Sequence, residues 1–270
     1  MLGSCARASA LGLPAIAFTE HVDVTRWVAP EPLRARLVAR GVTVGSDGAV
    51  APPPLAVDGY LAAVARCRER YPDLAILTGV EVGEPHWFAE QTRSLLAGGR
   101  FERVLASLHS VRVDGQPWMV DHLLGAHAPD GIEPADVLRR YLAEAATLVA
   151  ALPDDAQVLA HLDYPVRSWP GRFDPSPFEA DFRQVLGPLA ASGRALEINT
   201  RVPLAARIVA WWRDVGGEAV SFGADAHVPD DVGHGFAAAA DMARAHGFRR
   251  DRDPHGFWYR STSPPTRRGR

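Results

Sequence analysis

Short apolar runs alternate with longer helix-patterned stretches along most of the chain, and every short run delivers a polar residue at its C-terminal end. The short runs are residues 15–18, 75–82, 103–108, 157–160, 195–198 and 219–223. Between them lie helical stretches at 58–71, 86–97, 133–151, 177–192, 203–215 and 230–246. Strand and helix alternating at this spacing predict βα units and a parallel sheet. Asp58 and Asp230 stand where they can cap helix starts, and Gly98 and Gly193 follow helix ends. A chain of 270 residues that is 47% hydrophobic can fill one α/β barrel, and no repeat, linker or heptad divides it. The expectation is one barrel domain over residues 1–260, followed by a disordered basic tail over 261–270.

In a parallel barrel the C-terminal strand ends converge on one mouth, where active sites sit. The residues delivered there are His21, Glu81, His109, His161, Asn199, Asp225 and His227. A lone histidine at a strand end is more often structural than a ligand. Arrival from six strands at the same end changes that weighing. The metal-ligand set is therefore His21, Glu81, His109, His161, Asp225 and His227. Imidazole and carboxylate without cysteine suit zinc, iron or manganese. Six ligands exceed one tetrahedral ion, so two or three divalent ions are expected, with Glu81 and Asp225 as natural bridges. Such clusters suit phosphoester hydrolysis.

Two long inserts, residues 25–57 and 110–132, interrupt the alternation and read as lids or binding loops. His122 and His127 in the second are candidates to face a substrate. Glu20 and Asp163 stand beside proposed ligands and are candidates to orient them. His86, His234, His246 and His255 read as surface or core-edge residues.

Composition removes several classes. Cys5 and Cys67 are the only cysteines, too few for a disulfide framework or a structural zinc quartet, so a reducing cytoplasm is expected. No signal peptide and no membrane-spanning stretch is read. All 29 basic residues are arginine, so arginine clusters are discounted as a chemical signal. The end from Arg249 to Arg270 is basic, but with a net charge of -3 it reads as a frayed, solvated end rather than a nucleic-acid contact.

With these residues in place, the chain resembles the PHP (polymerase and histidinol phosphatase) superfamily, particularly its histidinol-phosphatase branch, over roughly residues 5 to 250. Phe18-Thr19-Glu20-His21 is similar to the family's second motif. Gly79-Val80-Glu81 and Ser107-Leu108-His109 match its third-motif ligands, Ala160-His161-Leu162-Asp163 its next histidine, and Gly223-Ala224-Asp225-Ala226-His227 its last motif. The resemblance implies a distorted (β/α)7 TIM-like barrel with a trinuclear site, one strand more than the pattern provides. It implies a phosphomonoesterase, most specifically histidinol-phosphatase, with a metal-bound hydroxide as nucleophile and no further catalytic side chain. The substrate would be a small phosphate ester, with no nucleic-acid or membrane partner. Arg201, and behind it Arg167, are the expected phosphate clamps, and Trp118 and Trp169 could shape a pocket for an aromatic ring. Another small phosphate ester, or an inactive binding module, are the alternatives. Polymerase-associated proofreading is not expected of an acidic chain this short.

The family opens on a strand carrying His-x-His, and this chain has no histidine before His21. Residues 1–13 read as the first helix, so the expectation is a misplaced start, with about one strand and its turn, roughly 15–20 residues, absent. The barrel would then carry an open seam, and one metal position would lack its imidazole pair.

Overall fold

The structure, a computed structural model, describes residues 1–98, 100–125, 128, 131–253 and 255–261. After α1 (Leu2–Ala10), β1 (Ala15–Val22) leads into the first insert, which holds β2 (Trp27–Val28), α2 (Glu31–Ala39) and β3 (Ala49–Val50). Next come α3 (Val57–Arg70), β4 (Ala75–Gly83), α4 (Ala89–Leu96) and β5 (Arg103–Ser107). The second insert is the β6 (Ser110–Val113) and β7 (Gln116–Met119) hairpin with α5 (Val120–Leu124). The remainder is α6 (Pro134–Ala150), β8 (Val158–Leu159), α7 (Glu179–Ala191), β9 (Ala195–Asn199), α8 (Ala206–Asp214) and β10 (Ala219–Gly223). It ends in α9 (Phe236–Ala245), β11 (Phe248–Arg250) and β12 (Trp258–Arg260).

The main sheet runs β1-β4-β5-β8-β9-β10-β12-β11. Its first six strands are parallel and fall at the six expected positions, curling into a distorted TIM-like barrel flanked by helices. The order places β1 at an open edge, with no second strand partner among the described residues. On the far side β12 pairs antiparallel with only Ala219 and Val220 of β10. A seam therefore runs between β1 and β10, occupied by a groove of about 580 Å³ that opens at the mouth beside His21 and Asp225.

Helix α6 illustrates how the outer layer is held. Pro134 sits in its first turn, where its missing N–H costs nothing. Val137, Leu138, Tyr141, Leu142, Ala145, Leu148 and Val149 form one buried face. Each large side chain of that face contributes about 1.5–3 kcal/mol of burial. The main core lies between this helix layer and the sheet and reaches Phe182, Trp211 and Trp212. A second cluster packs α1 and α3, through Cys5, Ala8, Tyr60, Val64 and Cys67, onto Leu74 and Ile76. The Tyr60 hydroxyl donates to Phe18 O at 2.7 Å and accepts from Gly79 N at 2.6 Å, tying α3 to β1 and β4. A third cluster fills the barrel bottom with Leu105, Val158, Ala160, Ala195 and Ala219, closed by Phe257.

Three local expectations are corrected. Ala56, not Asp58, precedes α3, and Asp58 lies inside its first turn without a capping bond. Asp230 belongs to a separate 3-10 turn, Pro229–Asp231, while Gly235 opens α9 in a left-handed conformation (φ 68°). The basic end is not frayed from Arg249 onward, because β11 and β12 join the sheet and Ser261 N bonds Gly247 O at 2.9 Å. Residues 262–270 lie outside the described residues, as does His127. Among the described residues no helix is long and apolar enough to cross a membrane.

Candidate metal centre

Strand register assembles the site. His21 on β1 is level with Glu81 on β4, and β5 delivers His109 just beyond Ser107. Glu81 Oε1 lies 2.7 Å from His161 Nε2 and 3.1 Å from His109 Nε2. All three side chains are buried, and their donor atoms approach within 4.8 Å of one another. The second group, His21, Asp225 and His227, meets the same criterion at the more exposed rim. The His21 ring centroid is 5.6 Å from those of both His109 and His227, so the two groups are adjacent. All six proposed ligands therefore converge on one mouth.

The electrostatics of the buried group are opposed and coupled. Burial works against a charge on Glu81, but His161 and His109 outweigh it and hold its carboxyl well below the usual range. Burial likewise works against a charged His109, yet Asp23 and Glu81 raise its pKa well above the ordinary imidazole value.

Other buried carboxylates hold the ligands from behind. Glu84 Oε1 accepts the backbone N–H groups of His109 at 2.6 Å and Ser110 at 2.8 Å, while Oε2 accepts the Thr25 hydroxyl at 2.5 Å. Glu197 Oε2 accepts His161 N at 2.8 Å and the Asn199 side-chain amide at 3.1 Å. Burial raises the pKa of both. Glu84 and Asp225 adopt positive φ, 45° and 50°, without being glycine, as residues held by their surroundings at functional sites do.

The donor set fits divalent metal. It is nitrogen and oxygen only, it forms triads at ligating distances, and His161 Nδ1 is buried without a hydrogen-bond partner.

Asp23 was not singled out from the sequence. It groups with His21 and His109, its Oδ1 lying 3.1 Å from His109 Nδ1. The signal available was the spacing His21-x-Asp23, the mirror of Asp225-x-His227. Of the two arginines, Arg201 Nη1 donates to Asp225 O at 3.1 Å, and Arg167 Nη2 lies 2.6 Å from Asp225 Oδ2. Both stand at the mouth.

Glu20 lines the groove, and Asp163 is buried with its pKa pushed up to about 7 by desolvation, against the pull of His161. Neither forms a side-chain hydrogen bond to a proposed ligand among the described residues. The His122 ring packs 4.8 Å from that of Trp27. Trp169 packs edge-on against Phe173 and Phe178, and Trp118 packs on the main core.

Fold and donor set together define a TIM-like barrel with a candidate divalent-metal centre at its mouth. The chain belongs to the PHP domain family, whose family model matches residues 3–201. Among solved structures it is similar to the histidinol phosphate phosphatase of Lactococcus lactis subsp. lactis, determined with zinc, L-histidinol and phosphate. The TM-score is 0.71 at 19% identity, over 92% of this chain and 87% of that one. A proposed histidinol phosphatase of Listeria monocytogenes is similar with a TM-score of 0.66 at 18% identity, over 88% of this chain and 92% of that one. No curated protein matches the chain.

Proposed function

We propose that the chain is a phosphomonoesterase acting on histidinol phosphate, with two to three zinc, iron or manganese ions held by His21, Glu81, His109, His161, Asp225 and His227. The observation that carries this reading is the convergence of the buried Glu81, His109, His161 triad with the rim triad His21, Asp225, His227. Divalent ions, once bound there, would polarise a phosphoryl oxygen and lower the pKa of water to near neutrality. The chain's own groups supply the remainder. Arg201 and Arg167 hold the outer phosphoryl oxygens, with charge-assisted hydrogen bonds that orient the ester. The groove of about 580 Å³ beside them is within the size range of small-ligand sites. Its lining residues Glu20 and Phe222 suit an ester carrying both an amine and a flat ring. The solved Lactococcus lactis relative, bound to L-histidinol and phosphate, supports that choice of substrate class. The free cysteines Cys5 and Cys67 suit the cytoplasm.

The test is elemental mass spectrometry on protein purified without chelator, followed by phosphate release from a panel of small esters. Two to three ions per chain and fastest turnover of histidinol phosphate are expected. Fastest turnover of another ester would replace the substrate. Bound metal with no phosphate release would favour a binding module, and no bound metal would overturn the reading.

A further inference from the structure

Beyond the ligand set itself, one carboxylate stands behind two of its members. Asp23 follows β1 by one residue and directs Oδ1 to His109 Nδ1 at 3.1 Å and Oδ2 toward His21 Nδ1 at 3.6 Å. On His109 the opposite ring nitrogen, Nε2, faces Glu81 Oε1 at 3.1 Å. The imidazole is therefore held from both sides, with Asp23 on the side away from the buried triad.

The space for this carboxylate is built by β4. Gly83 lies two residues past Glu81 on the same face of that strand, and a Cβ there would collide with Asp23 Oδ1 and crowd His109 Nδ1. Its φ is not positive, so no backbone conformation calls for glycine. Close approach of the Asp23 carboxylate is what the absent side chain permits.

An imidazole that donates one N–H to a carboxylate presents its other nitrogen as a lone pair, with its tautomer and ring orientation fixed. We propose that Asp23, seated against Gly83, is a positioning residue that fixes His109 with the proton on Nδ1, leaving its Nε2 to ligate metal, while the other Asp23 oxygen lies in looser ion-pair contact with His21. One carboxylate would thereby couple the buried triad to the rim triad. This rests on the metal-centre reading above.

The test titrates zinc into the metal-free full chain and into Asp23→Ala, Asp23→Asn and Gly83→Ala. Long-range 1H–15N spectra of the histidine rings are recorded on the zinc-loaded forms. Zinc affinity is expected to fall about 10- to 100-fold in Asp23→Ala, with the same number of ions at saturation. Asp23→Asn, whose amide oxygen still accepts from Nδ1, should recover part of that loss. Gly83→Ala, which leaves every proposed ligand in place, should reproduce the loss. The spectra should report Nδ1–H on His109 in the parent and a mixture of tautomers in Asp23→Ala.

Unchanged affinity in Asp23→Ala, or an Nε2–H tautomer in the parent, would overturn the proposal. So would the loss of a whole ion at saturation, which would make Asp23 a ligand. A parent chain that takes up no zinc would overturn the metal reading itself, a failure distinct from these.

Discussion

Arg167 Nη2 and Asp225 Oδ2 lie 2.6 Å apart across the barrel mouth, an ion pair whose geometry is not that of an aligned hydrogen bond. Asp225 is a proposed ligand, so in the metal-free protein a guanidinium partly neutralises a carboxylate meant for metal. On the proposed function, a cation bound by Asp225 would take over that neutralisation and leave Arg167 for the substrate. Arg167→Met should therefore bind zinc at least as tightly as the parent. It should raise KM for the phosphate ester by about 10- to 100-fold, the equivalent of one charge-assisted hydrogen bond of about 1.5–3 kcal/mol. Zinc titration and steady-state kinetics on the same preparation measure the two effects.

The free edge of β1 is the second testable feature. Unpaired strand edges expose backbone groups and weaken a sheet locally. A chain extended before Met1 by a strand carrying His-x-His should melt higher than residues 1–270 alone and hold more metal. Calorimetry and elemental mass spectrometry on both forms read this directly, and equal values would show that the seam accepts no such strand.

Asp163 sets a pH dependence. Its pKa is pushed up to about 7 by burial, whereas an unfolded chain gives it about 3.9. Between those values the folded protein keeps a proton that the unfolded chain releases, so stability falls as pH rises through that window. Asp163→Asn should remove this decline and stabilise the metal-free protein at pH 8 while leaving it nearly unchanged at pH 3.5. Urea unfolding at both pH values provides the comparison.

Gly223 is required for a different close approach. A Cβ there would collide with Glu197 Oε1, whose carboxylate carries the His161 backbone N–H. Gly223→Ala should displace Glu197, leave that buried N–H without its acceptor and destabilise the protein by about 1–3 kcal/mol. Urea unfolding measures the loss, and Gly187→Ala, where an added Cβ meets nothing, is the control.

The six parallel strands and the convergence of His21, Glu81, His109, His161, Asp225 and His227 could be read from the chain because both follow a short-range rule. A buried parallel strand is an apolar run, and its polar terminus marks the mouth. Asp23 escaped that rule because it lies past the apolar run, at the start of what reads as an insert. The β11–β12 pair escaped because Phe248–Arg250 and Trp258–Arg260 are short and arginine-rich, and their pairing with β10 is decided by packing far away in sequence. Asp58 shows a third cause: a residue suited to capping lands two positions late, where the tertiary fold sets the helix boundary.

The bottom of the barrel bears on how the chain acquires its shape during synthesis. Arg103, at the start of β5, lies 4.1 Å from the centre of the Phe257 ring and donates to His255 O across a sequence separation of 152 residues. That floor cannot form until Phe257 has left the ribosome, long after Arg103. The six-stranded curl emerges earlier, with Leu105, Val158 and Ala195 facing an unsealed interior. Non-local closure of this kind slows folding and leaves apolar surface exposed while it waits. Nascent chains halted before Phe257 should accordingly be held by chaperones, and release should follow the arrival of that single ring.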